Sequence, residues 1–384
     1  MPELETIQPV RLGAAQLRLL ERLCNACAVS GNEGEVREIV LEQVRPHTSQ
    51  VKVDALGNVL AIQEGTDSRP RSLKTGQPRS GPPSTIPASK RLRVMVAAHM
   101  DEVGFMLTHD EEGGLFRFET VGGLEANQLV GKPVLVGRAH LPGIIGIKPI
   151  HLTTSKERNQ PVELEELRID LSPGNGKKVK VGDWAAFSTP FARLGPSLCA
   201  KALDDRLGVA ILIELFKAPP PNIDLLAAFT VQEEVGLRGA HVAAYALEPD
   251  LAVVLDCTPA RDLPVLDRSG ASENTLYNTR LGAGPAIYVA DRRTLSDPRL
   301  VRHLVETAEA LGIPYQIRQP GGGGTDAGAI HKQLAGIPSV SVSVPARYPH
   351  TAAGICRLED WKNTLALVHA ALRRLTPDIL AVER

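Results

Sequence analysis

The stretch Leu225–Gly236, LLAAFTVQEEVG, decides how the chain is read. Its apolar and β-branched run fits a strand buried on both faces, as in a sheet with helices on either side. The run ends abruptly in Gln232, Glu233 and Glu234. Two adjacent carboxylates at the mouth of a buried strand carry a solvation cost and a mutual repulsion that packing does not require. A bound cation removes both. Neighbouring side chains on an extended stretch point to opposite sides, so one glutamate could ligate a metal while the other serves a substrate as base. For an isolated Glu-Glu pair, the solvated start of a loop is the better reading. Recurrence of the pattern elsewhere changes the balance.

Leu92–Ala98 is a second strand-like run, and it delivers His99, Asp101 and Glu102. A ligating imidazole gives its other N–H to an acceptor, and a carboxylate two residues away can be that acceptor. Leu251–Leu255 is a third run, ending in Asp256, and Pro338–Val344 leads through Pro345, Arg347 and Tyr348 to His350. Asp204-Asp205 opens the helical stretch Lys201–Phe216, where an N-cap with a first-turn acid explains one aspartate well and the other adequately. In an open α/β sheet, ligands bind beyond the carboxyl ends of the strands, so these groups can converge although they lie far apart in sequence. Two histidines with three or four carboxylates suit a pair of Zn²⁺, Co²⁺ or Mn²⁺ ions, one carboxylate bridging them. Spacing this dispersed is not by itself a metal motif.

Outward from this skeleton, residues 15–29 and Glu33–Val44 have helical periodicity, and Val51–Gln63 has the alternation and Gly-Asn turn of a hairpin. Residues 64–90, rich in Pro, Ser, Gly and Arg, read as a flexible surface loop. From residue 111 to 194 helical periodicity is lost. Short strand-like pieces (Leu115–Val121, Lys132–Val136, Gly143–Lys148, Glu166–Leu171, Lys178–Val181, Trp184–Phe187) alternate with turn residues, the signature of a small all-β unit. α/β patterning then resumes, through the helical Arg299–Leu311, the glycine run Gly321–Gly324 and the closing helix Glu359–Leu375. The expected architecture is an α/β catalytic domain with a mixed sheet, made of residues 1–110 and 195–384, with a β domain of residues 111–194 inserted into it. The glycine run lacks the Gly-Lys-Ser/Thr of a nucleotide-binding loop.

Composition excludes several classes of partner. The 384 residues carry a formal net charge of −1 with no long run of one sign, which gives no footing for nucleic acid or an anionic membrane. No stretch is apolar enough to span a bilayer, and MPELETIQPV has no signal-peptide character, so a cytoplasmic protein is expected. Five cysteines are an odd, scattered set and argue against a disulfide framework. Cys24 and Cys27 have the spacing of a zinc or redox pair, but no second pair accompanies them. They continue the apolar stripe of Leu20 and Leu23 and read as helix core. The other histidines, His140 among them, read as structural or exposed.

Six short motifs then carry a resemblance: HMDEVGF from His99, ALDDRLG from Ala202, QEEVGLRGA from Gln232, VVLDCTPA from Val253, GGGTDAG from Gly322 and VPARYPH from Val344. Together, in this order, they resemble the M42 family of dinuclear metalloaminopeptidases, which includes glutamyl and deblocking aminopeptidases and the tetrahedral TET particles. The resemblance implies that His99, Asp204 and Asp256 hold one divalent metal and that Asp204, Glu234 and His350 hold the other, Asp204 bridging. Glu233 would be the general base and Asp101 the acid that orients the ligating histidine. The substrates would be peptides with a free N-terminus, the metals Zn²⁺ or Co²⁺ with Mn²⁺ a third candidate, and the protein a homo-oligomer, from dimer to dodecamer, assembled through the inserted β domain. After His350 the chain reads TAAGIC, where family members often carry a carboxylate. Two other readings compete: a dinuclear deacylase or carboxypeptidase-like hydrolase, and a catalytically silent oligomeric scaffold.

Overall fold

The computed structural model describes residues 12–67, 91–263, 279–381 and 383. Most of the expected loop at 64–90 lies outside the described residues, as do residues 266–277, which look like a local insertion relative to the family that the motifs resemble.

The run that opened the reading is the strand Ile223–Thr230, buried at every position. It pairs in parallel with Leu92–His99, and the register sets Thr230 opposite His99. Leu92–His99 pairs in parallel with Leu251–Pro259, which pairs in parallel with Ser339–Arg347. Four parallel strands therefore run toward one edge of the sheet, with His99, Thr230, Asp256 and Ser343 level in the register and the last two strands continuing beyond them. Seven more strands complete the 11-stranded sheet: the hairpin Val51–Val53 with Val59–Gln63 on one side, Gly354–Arg357, Ser197–Ala200 and Ala192–Leu194 on the other, and, off this path, Ala286–Tyr288 antiparallel to Ser339–Arg347, with Gln316–Arg318 parallel to Ala286–Tyr288.

The strands read as unbroken apolar runs because each feeds two cores. On Leu92–His99, Val94, Val96 and Ala98 pack with the helices Leu203–Lys217, Ala14–Asn25, Gly34–Val44 and Leu358–Arg374. Met95 and Ala97, on the alternate face, pack with Ala240, Ala243, Ala244 and Leu247 of the helix Arg238–Leu247 and with Ala327 and Ile330. A strand buried on both faces shows no polar alternation. The result is the α/β/α layering with a mixed sheet that the sequence led us to expect.

The small β unit is a closed barrel of Gly104–Asp110, Leu115–Val121, Arg168–Asp170, Leu141–Gly146, Pro133–Val136 and Trp184–Phe187, in that order around the barrel. Phe105 stands at its centre, with Phe118 and Phe187 each edge-on at 5.2 Å between ring centroids. The first barrel strand begins at Gly104, ahead of residue 111. The chain leaves the sheet at His99 and resumes pairing so soon that no break in composition marks the passage. Lys178–Val181 is not a strand. Asp183 closes a turn there, its N–H donating to the Lys180 carbonyl at 3.1 Å and its carboxylate accepting the Lys180 N–H at 3.0 Å. The first helix stops at Asn25 rather than at 29, because Val29 forms a parallel bridge with Glu102 and the chain from Ala26 must extend to reach it.

One buried side chain ties the hairpin to the sheet edge. Asn58 accepts the N–H of Val231 at 2.9 Å and donates to the Gly239 carbonyl at 3.1 Å and to Asp54 at 2.6 Å. The sequence reading saw Asn58 only as turn chemistry. It caps the very strand that carries Glu233. Gly239 has no room for a side chain, since a Cβ would meet Asn58 Oδ1 at 2.3 Å and Val231 O at 2.4 Å. Asn58→Ala should cost roughly 1–3 kcal/mol, because it leaves the buried Val231 N–H without a partner. A urea titration should show a lower midpoint at unchanged slope.

Candidate metal centre

The level strand ends bring the predicted groups together. His99 Nε2 lies 3.2 Å from Asp204 Oδ1 and 3.9 Å from Asp256 Oδ1. His350 Nε2 lies 3.2 Å from Glu234 Oε2 and 3.8 Å from Asp204 Oδ2. The two oxygens of Asp204 thus face two different imidazoles. One ligand atom each from His99, Asp204 and Glu234 lies within 4.8 Å of the other two.

Each histidine is held by its second nitrogen. His99 Nδ1 faces the Asp101 main-chain oxygen at 3.2 Å and its carboxylate at 3.5 Å. His350 Nδ1 faces the Gly123 carbonyl, on the segment that follows barrel strand Leu115–Val121, at 3.0 Å. Such partners set which tautomer presents Nε2 to the centre. Asp101 also accepts the backbone N–H groups of Glu233 at 3.0 Å and Glu234 at 3.2 Å, and the Ser30 hydroxyl at 2.6 Å. This fully buried carboxylate therefore locks both glutamates and one histidine into a single frame.

The aspartate pair divides its work. Asp205 Oδ1 accepts the Gly208 N–H at 3.0 Å, as a helix cap does, and leaves Asp204 to face the histidines. A Cβ at position 208 would meet Asp205 Oδ2 at 2.3 Å and would have to displace that carboxylate. Ala202, Gln232, Tyr348 and His350 all have φ between 52° and 59°, a conformation costly for residues with a side chain. All four sit beside or at the clustered groups, where backbone strain concentrates at working sites.

Sequence reasoning missed several supports. Ser30 and Asn58 stand in the stretches Ser30–Glu33 and Asp54–Asn58, which resemble the family's without telling these roles, and Gly123 carries no signal of its own. Asp326, buried behind the centre, accepts from the Thr230 hydroxyl at 2.5 Å, and its other oxygen has no hydrogen-bond partner among the described residues. Glu102 is buried with Lys201 Nζ at 2.7 and 2.8 Å and Arg206 at 3.2 Å, and Arg206 also donates to the carbonyls of Leu23, Met100 and Asp101. This network clamps the segment that carries His99 and Asp101.

The electrostatics fit a cation. Among the described residues, the ion pairs of Asp204, Glu234 and Asp256 are to His99 and His350, with no lysine or arginine among them. Burial pushes Glu233 well above the usual carboxylate range, helped by repulsion from Glu234 and Asp326 and opposed by His99. Burial and the neighbouring Asp204 do the same to Asp256. Burial would depress His350, but its bond to Glu234 carries it up to about 9. Protons on imidazole and carboxyl groups thus stand in for missing positive charge, and imidazole and carboxylate donors are those that borderline divalent metals take.

The M42 glutamyl aminopeptidase family matches residues 84–367. The chain belongs to that family. It is a peptide hydrolase of the aminopeptidase kind, in a metallopeptidase family that implies divalent metal cofactors. Among solved structures, a TET aminopeptidase from the marine sediment archaeon Thaumarchaeota archaeon SCGC AB-539-E09 is 33% identical, with a TM-score of 0.84 over 96% of this chain and 99% of that one. The TET1 peptidase of Pyrococcus horikoshii, which can assemble into a tetrahedron or a large octahedral shell, is 29% identical, with a TM-score of 0.76 over 94% of this chain and 100% of that one. The glutamyl aminopeptidase of Lactococcus lactis is 28% identical over 368 residues, 92% of this chain and 95% of that one. Among the described residues no helix is long and apolar enough to cross a membrane.

The raised His350 sets a pH dependence. Below about 9 the metal-free protein holds a proton on this imidazole, and a cation arriving on Nε2 must expel it. Apparent metal affinity should therefore weaken as pH falls, by about tenfold per unit for each proton displaced. Calorimetric titration of metal-stripped protein at pH 7.5, in two buffers of different ionisation enthalpy, should register the released proton. Equal heats in both buffers would contradict this account.

Proposed function

We propose that this M42 aminopeptidase removes N-terminal residues from peptides with a pair of divalent cations, Zn²⁺ or Co²⁺, with Mn²⁺ a third candidate. The observation that carries the reading is Asp204, whose two carboxylate oxygens face His99 and His350 separately. That disposition suits a bridging ligand. His99 and Asp256 would complete one ion's set, and Glu234 and His350 the other's. When bound, such cations would lower the pKa of a coordinated water and polarise the scissile carbonyl.

The chain's own residues supply the proton handling. Glu233, about nine-tenths buried and with its pKa raised, is suited to take a proton from water and return it to the leaving amine. Asp101 is a positioning residue. By accepting the N–H groups of Glu233 and Glu234, it keeps base and ligand in register. A free α-amino group on the substrate, able to reach the same ions, makes the reaction an exopeptidase one and separates it from acyl-amino-acid hydrolysis.

With the strand Gly104–Asp110 moved to the barrel, residues 1–103 and 195–384 form the catalytic domain in this reading, and 104–194 an inserted assembly domain. Ile144, Ile150 and Leu152 of that unit are exposed apolar residues, which suits contact with further copies, from a dimer to a dodecamer. The assembling TET1 relative supports the same idea. Five free cysteines fit a reducing, cytoplasmic setting.

Glu233→Gln should lower kcat by about 10²–10⁴-fold with metal content unchanged. Asp204→Asn should instead lower metal content at both positions. The check is elemental analysis beside hydrolysis of Leu-p-nitroanilide and of N-acyl amino acids, run on metal-stripped protein with Zn²⁺, Co²⁺ or Mn²⁺ restored. Preference for the N-acyl substrates would transfer the protein to the deacylase reading.

A further inference from the structure

A second group of metal-competent side chains lies away from the strand ends, where the barrel meets the catalytic unit. Cys27, Glu35 and His140 each place a ligand atom within 4.8 Å of the other two. Cys27 sits in the extended segment after the first helix. Glu35 is in the first turn of Gly34–Val44. His140 stands in the barrel turn between Pro133–Val136 and Leu141–Gly146. Three elements from two parts of the molecule thus meet at one point.

The geometry is already partly organised. His140 Nε2 lies 2.6 Å from Glu35 Oε1, and Glu35 Oε2 accepts the Cys27 N–H at 2.9 Å. One carboxylate oxygen is therefore fixed by the backbone while the other faces the imidazole, the kind of outer support that orients metal ligands. His140 adopts φ 49°, a conformation that residues with a side chain rarely take. Cys27 and Glu35 line a cleft of about 1270 Å³ between barrel and catalytic unit, and Ala139 and Leu141, the neighbours of His140, line it too. An ion and its waters can reach it.

The helix-core expectation for the Cys24 and Cys27 pair holds for Cys24 alone. Cys24 is buried within the helix, whereas Cys27 lies beyond the helix end and turns to the cleft. The zinc-like spacing of the two cysteines was the wrong clue. Cys27 finds metal-competent partners in Glu35 and His140.

We propose that Cys27, Glu35 and His140 bind a divalent cation, separate from the strand-end centre, that pins the barrel to the catalytic unit. Sulfur, imidazole and carboxylate donors together favour Zn²⁺ over Mg²⁺ or Ca²⁺. Tetrahedral Zn²⁺ ligands stand roughly 3.3–3.8 Å apart, so His140 and Glu35, now 2.6 Å apart, would open by about an ångström while the Cys27 thiol, within 4.8 Å of both, draws in, leaving a fourth position for water. Binding requires loss of the Cys27 thiol proton.

The test uses the full chain, stripped of metal and titrated with Co²⁺ as a spectroscopic probe and with Zn²⁺ for stoichiometry. Wild type should show a near-ultraviolet thiolate-to-Co²⁺ charge-transfer band and hold one more equivalent of Zn²⁺ than Cys27→Ser or His140→Ala. Both variants should lose the band and keep the wild-type far-ultraviolet circular-dichroism spectrum, which shows that they are folded. Equal metal content in all three proteins would reduce the group to a hydrogen bond between His140 and Glu35 and overturn the proposal. A band that survives Cys27→Ser would place the thiolate elsewhere and overturn it equally.

Discussion

Negative charge gathered at the buried carboxyl edge of the sheet is the constraint on which the rest of the structure depends. Asp101, Asp204, Asp205, Glu233, Asp256 and Asp326 are all shielded from solvent or nearly so, and like charges this close cannot coexist in a low dielectric without compensation. The fold answers in two ways. Backbone N–H groups and hydroxyls reach the outer members: Ser30, Glu233 and Glu234 donate to Asp101, Gly208 to one oxygen of Asp205 and Thr230 to one oxygen of Asp326. The inner members are left to imidazole, and to whatever cation replaces its proton.

Behind this edge lies a network that is charged but balanced. Glu102 meets Lys201 and Arg206, all three almost wholly buried, and Arg206 also spans the carbonyls of Leu23, Met100 and Asp101. Removing one member of such a network typically costs 3–5 kcal/mol, because the partner charge is stranded. Its position explains why it is worth keeping. It joins the first helix, the His99–Glu102 segment and the start of the helix Leu203–Lys217, and so holds His99 and Asp204 at a fixed separation. Stability and site geometry rest on the same contacts.

The barrel takes part in the site as well. Its Gly123 carbonyl orients His350, and its His140 reaches Glu35 across the cleft. A unit that reads from sequence as a separate insertion is thus coupled to the catalytic edge at two points. Any motion of the barrel against the sheet would be felt by His350.

Much of this was legible in the chain. Unbroken apolar runs such as Leu92–Ala98 and Leu251–Leu255 announce strands covered on both faces, and a charged residue straight after each run is conspicuous because burial opposes it. That logic located His99, Glu233, Glu234, Asp256 and His350, and the family resemblance added the roles. The supports were not legible. Ser30, Asn58 and Gly123 are ordinary loop residues by type, and their importance lies in which buried donor or acceptor they meet. Nor could spacing show that Cys24 faces the core while Cys27, three positions on, leaves the helix for the cleft. Local pattern determined the elements and the residues that burial makes anomalous. Strand register, the separate duties of Asp204 and Asp205, and every pairing between barrel and sheet were decided only by the tertiary structure, because a contact between distant segments leaves no periodic trace in either one.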